Sequence, residues 1–146
     1  MRHSRRGFTL IEASLTIVII GVGVVAMLEL MATGAKTHNV ASTGTTGLTV
    51  ARCLRERTLG MTYDQLRAAS GSSFTPPVDA DGQSMDALDG WQQTLQVQAV
   101  NPNQLSTVTG SPTATPRPTA VRVTAHAIHN GQHVESLTWY RFAPGS

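Results

Sequence analysis

The stretch RRGFTLIEASL, residues 5–15, decides the fold of this 146-residue chain. A hydrophobic run begins at Phe8, and four residues later stands a carboxylate, Glu12. Residues 13–28 then follow without a single charge. A helix over residues 8–31 would rise roughly 36 Å, enough to cross the ~30 Å hydrocarbon layer of a membrane. The sequence therefore predicts a membrane-spanning helix with an acid close to its start.

The basic charge of the chain is concentrated at its N-terminus. Of the 11 Lys and Arg residues, Arg2, Arg5 and Arg6 lie in the first seven positions, which leaves eight against 9 Asp and Glu in the rest. Positive charge beside a membrane helix favours the cytoplasmic side, so the N-terminus is expected in the cytoplasm and the body beyond the membrane. The body itself is nearly neutral and gives no evidence of a direct nucleic-acid site.

Three interpretations of the N-terminal segment compete. A secretory signal peptide would be cut after the small residues ATGA at 32–35, but the acid within the run and the length of the run argue against this. A plain single-pass anchor would carry a periplasmic binding or adhesion domain that does not polymerise, with Glu12 near the interface by accident. The third interpretation combines a short basic leader, Gly7, Phe8 as a new N-terminus and Glu12 in one motif.

The segment GFTLIE, residues 7–12, resembles the prepilin motif of type IV pilins and type II secretion pseudopilins, because it follows a short basic leader and opens an apolar run. The resemblance implies that residues 1–7 are a leader peptide. It implies that a membrane-embedded peptidase cuts between Gly7 and Phe8 and methylates the Phe8 amine. It also implies that Glu12 is the assembly carboxylate, which in a subunit stack would pair with the Phe8 amine of a neighbouring chain.

The same resemblance implies an α+β, pilin-like fold. A long N-terminal helix, residues 8–59 with a transmembrane part at 8–31, would pack on a three-stranded antiparallel sheet. The sheet, a meander within residues 91–142, would belong to a small periplasmic head domain at residues 60–146. The body lacks the C-terminal cysteine pair common in major pilins, since Cys53 is the only cysteine and no intramolecular disulfide can form.

The implied function is structural. The chain would be a minor pilin or pseudopilin, inserted in the bacterial inner membrane as a prepilin and then assembled into a type IV pilus or type II secretion filament. Its expected partners are the prepilin peptidase/methyltransferase, other pilin or pseudopilin subunits and the assembly platform. No cofactor and no enzymatic activity are expected, because the sequence has no nucleotide loop, nucleophile elbow or catalytic triad. Whether a pilus, a secretion filament or a DNA-uptake filament is served is left open by the sequence.

The second half of the long helix is weakly specified by its composition. Residues 33–46 are rich in Thr and Gly, which predicts a weak or frayed part. A narrow stripe of small and apolar residues at helical spacing nevertheless continues the helix to near Leu59. The members of this stripe are Val40, Gly44, Gly47, Ala51 and Leu54.

The rest of the body predicts one short helix and three strands. Thr62 and Gln65 have the spacing of a capping box, which predicts a helix at residues 63–69. Residues 106–119, rich in Thr, Pro and Ser, are predicted to be a mobile loop and a candidate glycan site. Alternating or β-prone runs predict strands at residues 91–100, 120–128 and 133–142.

Asn130 and Gly131 predict a two-residue hairpin turn between the last two strands. Such a turn would pair each residue of the first strand with the residue of the second strand that lies at the same distance from the turn. The expected neighbours therefore include Val123 with Thr138, Arg122 with Trp139, and His126 with Glu135.

Two groups of residues are candidate metal ligands. Asp79 and Asp81 lie in an Asp-rich connection and suggest calcium, but Gln83 and Gly90 occupy ligand positions of the EF-hand spacing, so a solvated loop is favoured. His126, His133 and Glu135 would share one face of the hairpin, as in a three-ligand zinc site. No cysteine ligand or helix-borne His pair accompanies them, and ordinary surface residues are favoured there too.

Overall fold

The computed structural model describes residues 9–145. The predicted cleavage site and the basic leader residues therefore lie outside the described residues; they are Gly7, Phe8, Arg2, Arg5 and Arg6. The chain divides into two compact units between Ala41 and Ser42. The first contains the N-terminal part of a long helix, and the second contains the end of that helix and everything that follows it.

Helix α1, Leu10–Leu59, is continuous over 50 residues and confirms the predicted long helix. The weak part predicted at residues 33–46 does not interrupt it. Threonine hydroxyls there bond back to carbonyl oxygens one turn earlier, from Thr33 to Glu29 and from Thr37 to Thr33, both at 2.9 Å. A hydroxyl that is hydrogen-bonded within its own helix does not compete for a turn conformation of the backbone, which is consistent with a continuous helix through this Thr-rich part.

A short helix, α2, follows at Tyr63–Ala68, as predicted. The Thr62 hydroxyl accepts a hydrogen bond from the Gln65 amide at 3.3 Å, and the Gln65 side chain accepts one from the Thr62 amide at 2.9 Å. Two amides at the start of the helix are thus satisfied reciprocally, which is the capping box that the sequence spacing predicts.

The sheet is antiparallel and has five strands rather than the three predicted. They are β1 Ser73–Phe74, β2 Trp91–Asn101, β3 Gln104–Gly110, β4 Ala120–His129 and β5 Gln132–Phe142. The predicted meander is the central order β2–β4–β5, and β1 and β3 both pair with β2. The loop predicted at residues 106–119 is therefore wrong in its first part, because the Thr and Val side chains of β3 favour a strand.

The core of the second unit lies between α1 and one face of the sheet. Gly47 and Leu54 of the predicted stripe are buried, whereas Val40, in the first unit, is 67% exposed. Buried strand residues alternate along β2 and β4, as a sheet with one covered face requires. The central members of this core are Val50, Leu54, Leu95, Val97, Val123 and Ala125.

The predicted turn between β4 and β5 is present, with φ of 51° at Asn130 and 77° at Gly131. The predicted register beyond it is wrong. A β-bulge lies between Ala127 and Ile128, which pair with Glu135 and His133 and leave one residue of β5 unpaired. One extra residue shifts the alternation of side chains by one position. Every side chain of β5 after the bulge therefore lies on the face of the sheet opposite to the predicted one.

Because of the bulge, the three cross-strand pairs expected from the sequence are wrong. Val123 lies opposite Trp139, and Arg122 lies opposite Tyr140. The Arg122 guanidinium donates a 2.6 Å hydrogen bond to the Gln98 side chain. The shift moves Leu137 and Trp139 from solvent to the core, where both pack against the buried cluster, and this burial is the physical reason for the new register.

Candidate processing and assembly site

The first turn of α1 carries the only candidate site residue of the prepilin motif that the structure describes. Glu12 is the acidic residue of this turn, and its side chain is exposed. Its amide donates to the Thr9 hydroxyl at 3.3 Å, and its carbonyl oxygen accepts from the Thr16 hydroxyl at 2.7 Å. The backbone of Glu12 is therefore held on both sides, while its carboxylate forms no salt bridge with any residue from 9 to 145.

The Thr9 hydroxyl was not singled out from the sequence. It accepts the hydrogen bond of an amide at the start of the helix, which is the role of an N-terminal cap. The signal was available, because Thr9 and Glu12 have the spacing of a capping box. A carboxylate in the first turn also meets the positive end of the helix dipole, an interaction worth about 0.3–1 kcal/mol.

The surface of α1 that follows Glu12 is uncharged and predominantly apolar. Residues 13–28 hold no charge, and large side chains such as Ile17, Val22 and Leu28 are more than half exposed. An 18-residue window of α1 has the length and composition to cross a membrane, and none of it is buried within the protein. Apolar side chains without a protein neighbour require a lipid or protein environment, because in water they would be solvated at a large cost.

The three residues of the candidate zinc site do not come together. His126 and His133 lie on the outer face of the sheet, with ring centroids 5.4 Å apart in an edge-to-face contact. The bulge places Glu135 opposite Ala127, on the face that packs against α1, so the pairing of Glu135 with His126 is wrong. Burial and the neighbouring His133 lower the pKa of His126, which disfavours a charged imidazole at this position.

Hydrogen bonds within the Asp-rich connection stabilise its turns. One carboxylate oxygen of Asp79 accepts from the amides of Asp81, at 3.0 Å, and Gln83, at 2.8 Å. Ser84 also donates a hydrogen bond to the Asp86 carboxylate. Within residues 9–145, no group of three or more His, Cys, Asp or Glu side chains is placed to hold a metal ion.

The Pro-rich segment after β3 is tied to α2 by a polar cluster. The Tyr63 hydroxyl donates to the Pro118 carbonyl at 2.8 Å, and Arg117 lies over the Tyr63 ring at 4.9 Å. Asp64 accepts from Arg67 at 3.0 Å and from Arg117 at 3.2 Å. Burial raises the pKa of Tyr63, an effect opposed by the two neighbouring arginines. The segment is thereby attached to the core at several points.

Cys53 lies half-buried on α1. Burial raises the pKa of its thiol, and the nearby carboxylates of Glu56 and Asp79 raise it further. A thiol with a raised pKa holds less of the reactive thiolate at neutral pH. The position of Cys53 therefore offers no support for nucleophilic chemistry.

A comparison with protein-family models finds a match at the N-terminus. The model described as the prokaryotic N-terminal methylation motif matches residues 2–28, which include the leader, the predicted cleavage site, Glu12 and the apolar part of α1. Neither the curated proteins nor the solved structures give a match to the chain.

Proposed function

We propose that this chain, whose N-terminal methylation motif is the one that marks the prepilin leaders of type IV pilin-like and pseudopilin-like proteins, is a structural minor subunit of a type IV pilus or type II secretion filament. The subunit enters the bacterial inner membrane with its N-terminus in the cytoplasm and its second unit in the periplasm. A prepilin peptidase cuts between Gly7 and Phe8 and methylates the Phe8 amine. The mature chain then joins other pilin subunits on an assembly platform.

The observation that carries this proposal is the register between the motif and the helix. α1 begins at Leu10, so Glu12 lies in the first turn, four residues along the sequence from Phe8, where cleavage would create an α-amine. That amine is mostly cationic at neutral pH, and the exposed Glu12 carboxylate has no cationic partner among residues 9–145. A carboxylate in a membrane is costly unless it is paired, so pairing with the Phe8 amine of the next subunit selects one axial register.

The exposed apolar surface of α1 supports assembly in a second way. In the membrane, side chains such as Ile17 and Leu28 contact lipid, and in a filament they contact the same surface of neighbouring helices. One apolar environment replaces another, so leaving the bilayer does not expose this surface to water. The same helix can therefore serve as an anchor before assembly and as packing surface after it.

The test is the mass of the mature N-terminal peptide from protein purified out of bacterial membranes. Expected is a chain that begins at Phe8 and carries one methyl group on its amine. A chain that retains residues 1–7 would refute processing, and a chain cut after Ala35 would identify a signal peptide instead. Expression of the chain in cells that lack the prepilin peptidase is the control, and the purified chain should then keep residues 1–7.

A further inference from the structure

β3 is an edge strand that the core of the protein does not use. All side chains of Gln104–Gly110 are exposed except that of Leu105, which is half-buried. β3 pairs only with the end of β2, through three residue pairs interrupted by two register shifts. Its sequence, QLSTVTG, contains neither a charge nor a proline. Charges and prolines are two of the features by which proteins prevent an edge strand from pairing with another chain, and β3 has neither.

β5 is the terminal strand at the opposite side of the same sheet. The amide of Ser136 donates to the side chain of Glu135 at 3.2 Å, so this amide points away from β4 and off the sheet. Backbone groups of an antiparallel strand alternate between its two edges, so the amides of Thr138 and Tyr140 point the same way. Residues 136–140 are uncharged, and apart from the Ser136 contact they present an open edge.

We propose that β3 of one copy of this chain pairs with β5 of a second copy, so that the two sheets join into one. The two edges are different strands of one sheet, so this contact is heterologous: each copy offers β3 to one neighbour and β5 to the other. Heterologous contacts that do not close on themselves generate open polymers. The inference rests on the proposed function, and it adds to that function that copies of this subunit lie next to one another in the filament.

A second copy of the chain fits these edges because both edges are open strands of the same sheet. Each offers a row of unpaired amides and carbonyls, and strand addition satisfies both rows at once. Both segments are uncharged and contain Thr together with other β-prone residues, so their side chains can lie beside one another without burying a charge. The charged residues Glu135 and Arg141 stand at the two ends of the open part of β5 and limit the register to the residues between them.

The test uses the full chain in bacterial membranes, with Cys53→Ala to remove the native thiol. Two differently tagged copies are co-expressed, one with Thr107→Cys in β3 and the other with Ser136→Cys in β5, and treated with a short bis-maleimide. Expected is an adduct that carries both tags. A copy with Gln83→Cys, an exposed residue on neither edge, replaces the Ser136→Cys copy as control and should give no adduct.

A matched pair of substitutions separates edge pairing from general proximity. Thr138→Lys puts a charge on the edge and should abolish the adduct. Thr124→Lys should leave it unchanged, because Thr124 lies beside Thr138 on the same face, with 3.2 Å between the hydroxyls, but belongs to the inner strand β4. An equal loss in both variants would overturn the proposal.

Two further outcomes would also overturn it. An adduct between two copies that both carry Ser136→Cys would mean a symmetric β5–β5 contact. The absence of a mixed adduct from chains whose N-terminal peptide begins at Phe8 would mean that processed subunits do not join their sheets. Since the same preparation reports the N-terminus, a chain that keeps its leader refutes the proposed function, whereas a processed chain without adduct refutes only the sheet contact.

Discussion

The side-chain amide of Gln93 joins the sheet to helix α1, because its Nε2 atom donates a 2.8 Å hydrogen bond to the carbonyl oxygen of Val50. The same atom donates to the carbonyl oxygen of Val78 at 2.9 Å, and Oε1 accepts from the Val78 amide at 2.9 Å. Gln93 is fully buried. One side chain thus fixes helix, strand and connection in a single arrangement, and a buried polar group of this kind is stabilising only while its partners are present.

Substitution of Gln93 by Leu should lower the free energy of unfolding by about 2–3 kcal/mol, because the amide and carbonyl of Val78 would remain buried without partners. Unfolding of the full chain in detergent micelles, followed by tryptophan fluorescence, measures the change. Gln96→Leu is the matched control on the same strand, since Gln96 is exposed, and it should change stability by less than about 0.5 kcal/mol. Equal losses in the two variants would contradict the role assigned to Gln93.

Gln93 also marks the limit of what could be predicted from the sequence. The prepilin motif, the capping box at Thr62 and the turn at Asn130 were predictable because each depends on residues a few positions apart. The bonds of Gln93 join segments 43 and 15 residues distant. Nothing in the spacing of the glutamines distinguishes the buried one from its exposed neighbours, so only the packed structure identifies it.

The bulge in β5 was unpredictable for a related reason. A two-residue turn fixes the first pairs of a hairpin, but the register beyond them depends on which face is buried. Because the bulge leaves Val134 unpaired, Leu137 and Trp139 pack against the core. Their burial is favourable only because α1 covers this face of the sheet. The local sequence around the turn therefore cannot predict a register that depends on packing against α1.

The close approach of α1 to the sheet at Gly47 gives a second prediction. A Cβ atom at this position would lie 2.9 Å from Cγ1 of Val134 and 3.2 Å from Cβ of Glu135. Gly47→Ala should therefore destabilise the protein by about 1–3 kcal/mol despite the better helix propensity of alanine. The melting temperature of the full chain in detergent micelles measures the effect.

Gly44, one turn earlier in the same helix, provides the control. A Cβ atom there would have no heavy atom within 4 Å. Gly44→Ala should thus stabilise the helix by up to about 1 kcal/mol, because only the propensity difference remains. The prediction fails if the two substitutions shift the melting temperature in the same direction.

His126 should make the stability of the fold sensitive to acid. Its Nδ1 atom is buried without a hydrogen-bond partner among the described residues, and burial together with His133 lowers its pKa in the folded state. The unfolded chain, with an ordinary pKa of about 6.5, binds this proton first as the pH falls. Stability is therefore fully present above about pH 6.5 and is lost as the pH falls toward the folded pKa, below which this loss is complete.

His126→Gln removes the titrating group and should flatten this acid-side loss. Denaturant unfolding of both chains from about pH 7.5 down to about pH 5 gives the difference in free energy at each pH. The parent should lose more stability than the variant over this interval. Parallel curves would show that the proton uptake of His126 is the same in the folded and unfolded chains.

The last prediction concerns Glu12, whose exposed carboxylate is proposed to pair with the Phe8 amine of a neighbouring subunit. Glu12→Gln keeps the size of the side chain and removes its charge, so the amine would be buried without a counter-charge, at a cost of about 3 kcal/mol or more. Incorporation into sheared filaments should fall more than about tenfold, since each 1.4 kcal/mol is a factor of ten, while the mature N-terminus stays methylated. Glu29→Gln, on the same helix but outside the matched motif, is the control and should leave incorporation unchanged. Normal incorporation of a processed Glu12→Gln chain would rule out the pairing.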